Sequence, residues 1–292
     1  MASQFLYSEF NSILNSSEVK KKKHPEFMEF LTGFDISNML HELLENQKRS
    51  SMAGYLNGHK YENSYKLGEF FKIWKKESSL DSLNDLPCSV KFSNLEFSVK
   101  SLWDLTSRVS SLFNWQYYLS CNLYITPSQD KDCFLFHADP SEAIIAQIYG
   151  EKKWYFVTEK ENFSYDLKVP NLTFFQNSVI EYEVNKNEYF CVPKGMIHRA
   201  SNQMLSPSLH ITFSLNTEFT HVGLKKILKK HDLNYAYDDS LHFVTLDSKD
   251  LTDILTSFPQ VNLLQVMDDL RMENMHQFKN ARTPFFTLVE SI

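Results

Sequence analysis

The residues of this chain with the plainest capacity for chemistry are His137, Asp139 and His198. His137 and Asp139 stand at i and i+2 in FLFHADPSEAIIAQIYGEKKW, so on an extended strand their side chains leave the same face. Pro140 disfavours helix at Asp139 and supports that extended geometry. His198 lies in VPKGMIHRA, just past a Pro193-Lys194-Gly195 turn, at the start of a strand from which a third ligand can reach back. Two imidazoles and one carboxylate are the donor set that holds Fe(II) on one face and leaves other positions open. An HxD pair is common by chance, and a single His after a turn is more often a hydrogen-bonded loop residue. The weight rests on the three together.

Such residues need strands to converge, and the middle of the chain supplies them. WQYYLSCNLYIT, ending at Pro127, is rich in β-formers. Apolar runs follow at Ala143 to Ile148 and Lys153 to Val157, with further short strands expected at Leu172 to Phe175, Val179 to Tyr182, Glu188 to Val192 and Leu209 to Leu215. Short strands separated by polar turns predict a sandwich or barrel, and the double-sheet jelly roll is the form that encloses a small-molecule site. In SLHITFSL, His210, Thr212 and Ser214 share one face and the apolar residues the other, which implies a wet or ligand-filled interior. In GEKKWYFV, Lys152 shares a face with Trp154, and Lys153 with Tyr155. A lysine there is usually a solvent-facing edge residue; the alternative is a cation held inside to pair with the carboxylate of a bound acid.

Helices flank this β region. Asp35 is a good N-cap for a helix with Ile36, Met39, Leu40, Leu43 and Leu44 on one stripe. Residues 64–76 and the stripe Leu102, Leu105, Val109 and Leu112 predict two more, and Val90 to Val99 a strand interrupted near Asn94. After Asn216 the helical pattern returns at His221 to Lys230, Leu251 to Phe258 and Leu263 to Met272. We therefore expect a mainly β fold with α: a double-stranded β-helix of the jelly-roll or cupin type over 1–216 with N-terminal helices, and a helical region over 217–292. That region would cover an open barrel end or pair subunits. The run Lys20 to Lys23 reads as a solvated link between short helices, or alternatively as a contact for a phosphate backbone or acidic partner.

Composition narrows the class. Forty-two per cent hydrophobic residues with only 7 Gly describe a packed protein, and a net charge of -6 gives no global reason to bind nucleic acid. Cys88, Cys121, Cys133 and Cys191 lack CxxC spacing and read as reduced, buried thiols. The N-terminus has no secretory pattern and no apolar run reaches about 18 residues, so a cytoplasmic protein without a membrane partner is expected.

Taken together, NLYITP, FHADPSEAIIAQIYGEKKWYF, VPKGMIHRA and SLHITFSL resemble the JmjC-type, cupin-like oxygenases, and most of all the ribosomal-oxygenase group, over roughly residues 85–216. The resemblance implies that His137, Asp139 and His198 bind Fe(II), and that Lys152 grips the far carboxylate of 2-oxoglutarate. It implies that Asn122 and Ser214 line the same pocket, with Tyr124 and His210 around them. The implied activity is hydroxylation of a protein or peptide side chain by O2 and 2-oxoglutarate, giving succinate and CO2, in a homodimer. The alternatives are N-methyl-lysine demethylation, small-molecule tailoring, or a non-catalytic metal-binding scaffold.

Overall fold

The computed structural model describes residues 1–14, 16–33, 35–45, 51–56, 59–77, 79–128, 134–158, 178–238, 241, 244–246, 248–258 and 262–280. The strand expected at Leu172 to Phe175, and Cys133, lie outside the described residues. The chain divides into two compact units. One comprises Met1–Leu105 with Ser120–Ser214, the other Thr106–Leu119 with Leu215–Ile292.

The first unit opens with α1 (Ala2–Ile13), the strand β1 (Lys20–Lys23), α2 (Pro25–Thr32) and α3 (Ile36–Glu45). Asp35 caps α3 as expected, its Oδ1 accepting the Asn38 N–H at 3.1 Å. The strands β2 (Ser51–Leu56) and β3 (His59–Lys60), the helix α4 (Ser64–Glu77) and the strand β4 (Ser89–Ser93) follow. β4 stops where Asn94 turns left-handed at φ 60°, and residues 95–97 coil into a 3-10 turn instead of resuming the strand. The helix α5 (Lys100–Leu112) then leads into β5 (Tyr118–Thr126). The remaining strands are β6 (His137–Ala138), β7 (Glu142–Tyr149), β8 (Lys152–Val157), β9 (Val179–Val184), β10 (Glu188–Val192), β11 (Ile197–Ser201) and β12 (Ser208–Asn216).

These strands form two sheets, one ordered β1-β10-β7-β12-β5-β4-β2-β3 and one ordered β6-β11-β8-β9. Their inner faces meet in a cluster that joins Ala143, Ile145, Phe190 and Val192 of the larger sheet to Trp154, Phe156 and Val184 of the smaller. Here is the expected double-sheet β-helix. β7 is buried along nearly its whole length because its other face is covered too. There α1 and α2 present Phe5 and Phe27, which meet the ring of Tyr189 edge-on at 5.7 and 6.0 Å.

The Lys20 to Lys23 run does lie between two short helices and is mostly exposed, but it is more than a link. It is an edge strand paired antiparallel with β10. Lys21 and Lys23 bind Glu188 at 2.7 and 3.0 Å, and Lys22 binds Glu9 at 2.6 Å. Burial pushes the Glu188 carboxyl up, but the Asn185 N–H and the two lysines outweigh it and hold the group at about 2. A row of lysines also discourages another strand from adding to this edge.

In the second unit α6 (His221–Lys230), α7 (Ser248–Leu255) and α8 (Leu263–Asn280) surround Leu224, Ile227, Leu228, Leu251, Val266 and Leu270. Thr220 caps α6. The buried Asn274 amide donates to the carbonyls of Trp115 and Gln116, and its oxygen accepts the Glu218 N–H. Among the described residues no helix is long and apolar enough to cross a membrane.

Candidate metal centre and pocket

Strand register assembles the site. β11 pairs antiparallel with β6 so that His198 stands directly opposite His137, and directly opposed residues share a sheet face. The two rings lie 4.5 Å apart. Asp139, two residues beyond His137, brings its carboxylate oxygens to 4.0 Å from His137 Nε2 and 3.7 Å from His198 Nε2. The backbone of Asp139 is tied to the turn before β11, since the Gly195 N–H donates to the Asp139 carbonyl at 2.9 Å. That turn is closed by the Met196 N–H on the Pro193 carbonyl at 3.2 Å, with Gly195 at φ 75°. A left-handed residue in this place is why glycine follows Pro-Lys.

Hydrogen bonding settles the tautomers. His137 Nδ1 lies 2.8 Å from the Leu135 carbonyl, and His198 Nδ1 lies 2.8 Å from the Met196 carbonyl. A carbonyl only accepts, so each Nδ1 carries a proton, and in its neutral form each ring keeps its Nε2 lone pair for the shared space. The three donor atoms lie within 4.8 Å of one another. Two neutral imidazoles and a carboxylate, oriented in this way, fit a divalent transition metal with positions left for other ligands. His198 is buried, while the Asp139 side chain is 44 % exposed, so the site opens on the Asp139 side.

Next to the triad lies a pocket with about 410 Å³ of space, partly open to solvent, whose lining includes Tyr124, Lys152, Trp154, His198, His210 and Thr212. Lys152 is fully buried and donates to Thr126 Oγ1 at 2.7 Å. A buried ammonium beside a pocket can pair with the carboxylate of a bound acid. The face of β8 that carries Lys152 is therefore the inner one. Lys153, on the other face, pairs with Glu181 at 2.8 Å. His210 stacks on Tyr124 with ring centroids 4.7 Å apart. Burial, and then the neighbouring Lys152 and His198, hold its imidazole well below the usual histidine range, so it is neutral.

The structure brings together His137, Asp139, His198, Lys152, Tyr124 and His210. It does not bring in Asn122 or Ser214, neither of which is among the lining residues. Asn122 instead accepts the Asn94 N–H at 3.2 Å and holds the end of β4. Both follow the inner-face alternation of their strands, but they lie beyond the stretch that meets the pocket. Thr126, Phe134 and Trp154 were not anticipated as site residues. Trp154 had a signal in its shared face with Lys152, and Thr126 in its shared face with Asn122 and Tyr124.

A double-sheet β-helix bearing a two-histidine, one-carboxylate cluster defines a cupin-type protein. More particularly, residues 94–221 match the JmjC domain family, a stretch that includes the whole triad and its pocket. It is 23 % identical over 158 residues to a "Bifunctional lysine-specific demethylase and histidyl-hydroxylase NO66" of Culex quinquefasciatus, covering 53 % of this chain and 24 % of that protein. The namesake of Aedes aegypti is 24 % identical over 153 residues, covering 51 % and 24 %. The chain thus spans about a quarter of the length of these curated relatives. Among solved structures, Escherichia coli ycfD aligns with a TM-score of 0.45 at 13 % identity, covering 89 % of this chain and 69 % of that one. A structure of YcfD, described as a ribosomal oxygenase, in complex with cobalt and 2-oxoglutarate aligns with a TM-score of 0.43 at 14 % identity, covering 89 % and 66 %.

Proposed function

We propose that this protein is an Fe(II)- and 2-oxoglutarate-dependent oxygenase that hydroxylates a side chain of a protein or peptide. The observation that carries this reading is the pairing of an oriented metal-donor set with a fully buried lysine in one pocket. His137, Asp139 and His198 would hold Fe(II), which with 2-oxoglutarate and O2 supplies the oxidising power for C–H hydroxylation and yields succinate and CO2. Lys152 would neutralise the far carboxylate of 2-oxoglutarate, positioned by Thr126 Oγ1. Tyr124 and His210 form a flat wall beside that carboxylate. Burial of Lys152 keeps water from competing for its contacts.

Anaerobic addition of Fe(II) and then 2-oxoglutarate should produce the weak visible charge-transfer band of the chelate, and the band should vanish in His198→Ala. Iron binding without a band would turn the reading toward another cupin chemistry. The printed names of the relatives pair histidyl hydroxylation with lysine demethylation. Demethylation releases formaldehyde and hydroxylation does not, so a formaldehyde assay on candidate peptides separates the two.

Two further parts belong to this reading. By the family resemblance, residues 217–292 would pair two copies of the chain, which sedimentation equilibrium tests. The cysteines, which lack CxxC spacing, are those of a protein acting in the cytoplasm, which fractionation tests.

A further inference from the structure

Beside the metal centre the first unit has a larger hollow, a groove with about 1730 Å³ of space that is partly open to solvent. It lies between residues 16–19, the neighbouring ends of β8 and β9, and the turn before β11. Phe156, Ile180, Tyr182 and Met196 form its apolar wall, and Glu18 and Lys194 are the charged residues of its lining. The groove adjoins the triad in two places. The ring of Phe156 stands 6.0 Å from that of His198, and Gly195 in the groove lining donates its N–H to the Asp139 carbonyl. Asp139 is the exposed member of the triad, so a chain lying in the groove reaches the open side of the metal centre.

Three features define what fits there. The space exceeds the roughly 300–1,000 Å³ of small-molecule pockets and suits a segment of a polymer. Ile180 leaves 43 % of its surface in solvent, a cost that an apolar side chain seated on it would remove. The charge presented to a ligand is negative. Lys194 is engaged by Glu142, whereas Glu18 is exposed and forms no ion pair among the described residues.

We propose that this groove seats the substrate polypeptide beside its target residue, taking a segment that lays an apolar side chain on Ile180 and brings a basic one to Glu18. This rests on the oxygenase reading and adds to it the chemistry of the residues that flank the target. The apolar anchor supplies affinity, and the charge at the rim selects against acidic segments.

A phage library of random dodecapeptides, panned on protein loaded with Mn(II) and 2-oxoglutarate, supplies the probe. Enriched peptides should carry apolar residues together with Lys or Arg, and a synthetic copy of one should bind without displacing 2-oxoglutarate. Ile180→Asp should weaken that peptide about 10- to 100-fold, the worth of one buried aliphatic side chain. It should leave Mn(II) and 2-oxoglutarate binding within about two-fold of wild type. Ile180→Ala guards against a folding defect. Replacing the apolar anchor of the peptide by Ala should cost wild type about tenfold and this variant less than about threefold. Glu18→Lys should weaken binding about two- to fivefold at low salt and little at high salt. The assignment is overturned by a library that yields no binder, by binders that are acidic or wholly polar, or by peptides that bind both Ile180 variants like wild type. Self-association of wild type that is lost in Ile180→Asp overturns it too, and makes the groove a contact between copies of the chain. Failure of wild type to bind 2-oxoglutarate refutes the oxygenase reading itself. Intact 2-oxoglutarate binding with peptide binding indifferent to Ile180 refutes only the role of the groove.

Discussion

Glu96 is an acid in an unusual place, only 1 % exposed behind β5. Its Oε2 accepts the Cys121 N–H at 2.9 Å and lies 3.3 Å from Cys121 Sγ. Burial pushes its carboxyl from 4.5 up to about 7, with the hydrogen bonds offsetting only part of that push. Folded protein therefore holds a proton that unfolded chain releases between those two values. Stability must fall as pH rises through this window, and it levels off above about pH 7. Each pKa unit corresponds to about 1.4 kcal/mol, so the group costs about 3 kcal/mol once both states are ionised. Glu96→Gln resembles the protonated acid and does not titrate. Urea denaturation of wild type and variant from pH 5 to 8, followed by tryptophan fluorescence, isolates Glu96, because titrations elsewhere are common to both proteins. The stability of the variant relative to wild type should rise by about 2–3 kcal/mol across that range. A difference that stays constant to within about 1 kcal/mol would show that Glu96 is ionised throughout, or relieved by water, and would refute the reasoning.

Other outcomes follow from the site and its turns. Asp139→Ala should abolish Fe(II) binding measured by calorimetry, because two neutral histidines alone are a poor Fe(II) site; unchanged affinity would remove the triad from consideration. Lys152→Met should leave metal binding intact and weaken 2-oxoglutarate at least about tenfold, the loss of a charge-assisted hydrogen bond; unaltered binding would take Lys152 out of the pocket's function. Gly195→Ala forces a Cβ onto a φ of 75° and should cost about 1–2 kcal/mol in urea unfolding. Gly150→Ala should be worse, since a Cβ there would meet the Pro207 carbonyl oxygen at 2.2 Å in addition to a φ of 64°. If Gly150→Ala unfolds at wild-type urea concentrations, the packing of the β7–β8 turn described here is wrong.

Much of this protein was legible in its residues. The periodic stripes of α3, α4, α5 and α6 match the helices observed, because a long amphipathic pattern has one economical way to bury its apolar side. His137, Asp139 and His198 could be picked out because i, i+2 spacing before a proline sets a face locally, and a Pro-x-Gly turn sets the entry of the next strand. What local pattern could not supply was anything that depends on a partner distant in the chain. Alternation shows that Lys152 and Lys153 point opposite ways, but only the pairing of β8 with β9 and β11, and the packing of Trp154 and Phe156 on β10, make Lys152 the inner one. Four consecutive lysines resemble a solvated tether until Glu9 and Glu188 are brought beside them. Asn122 and Ser214 lie on the inner faces of their strands, yet a face says nothing of depth, and depth decides which residues meet the pocket. The sequence by itself determined the types of donor and the faces that carry them. Register and sheet packing, which join residues far apart in the chain and have no local signature, decided which of those faces enclose a site.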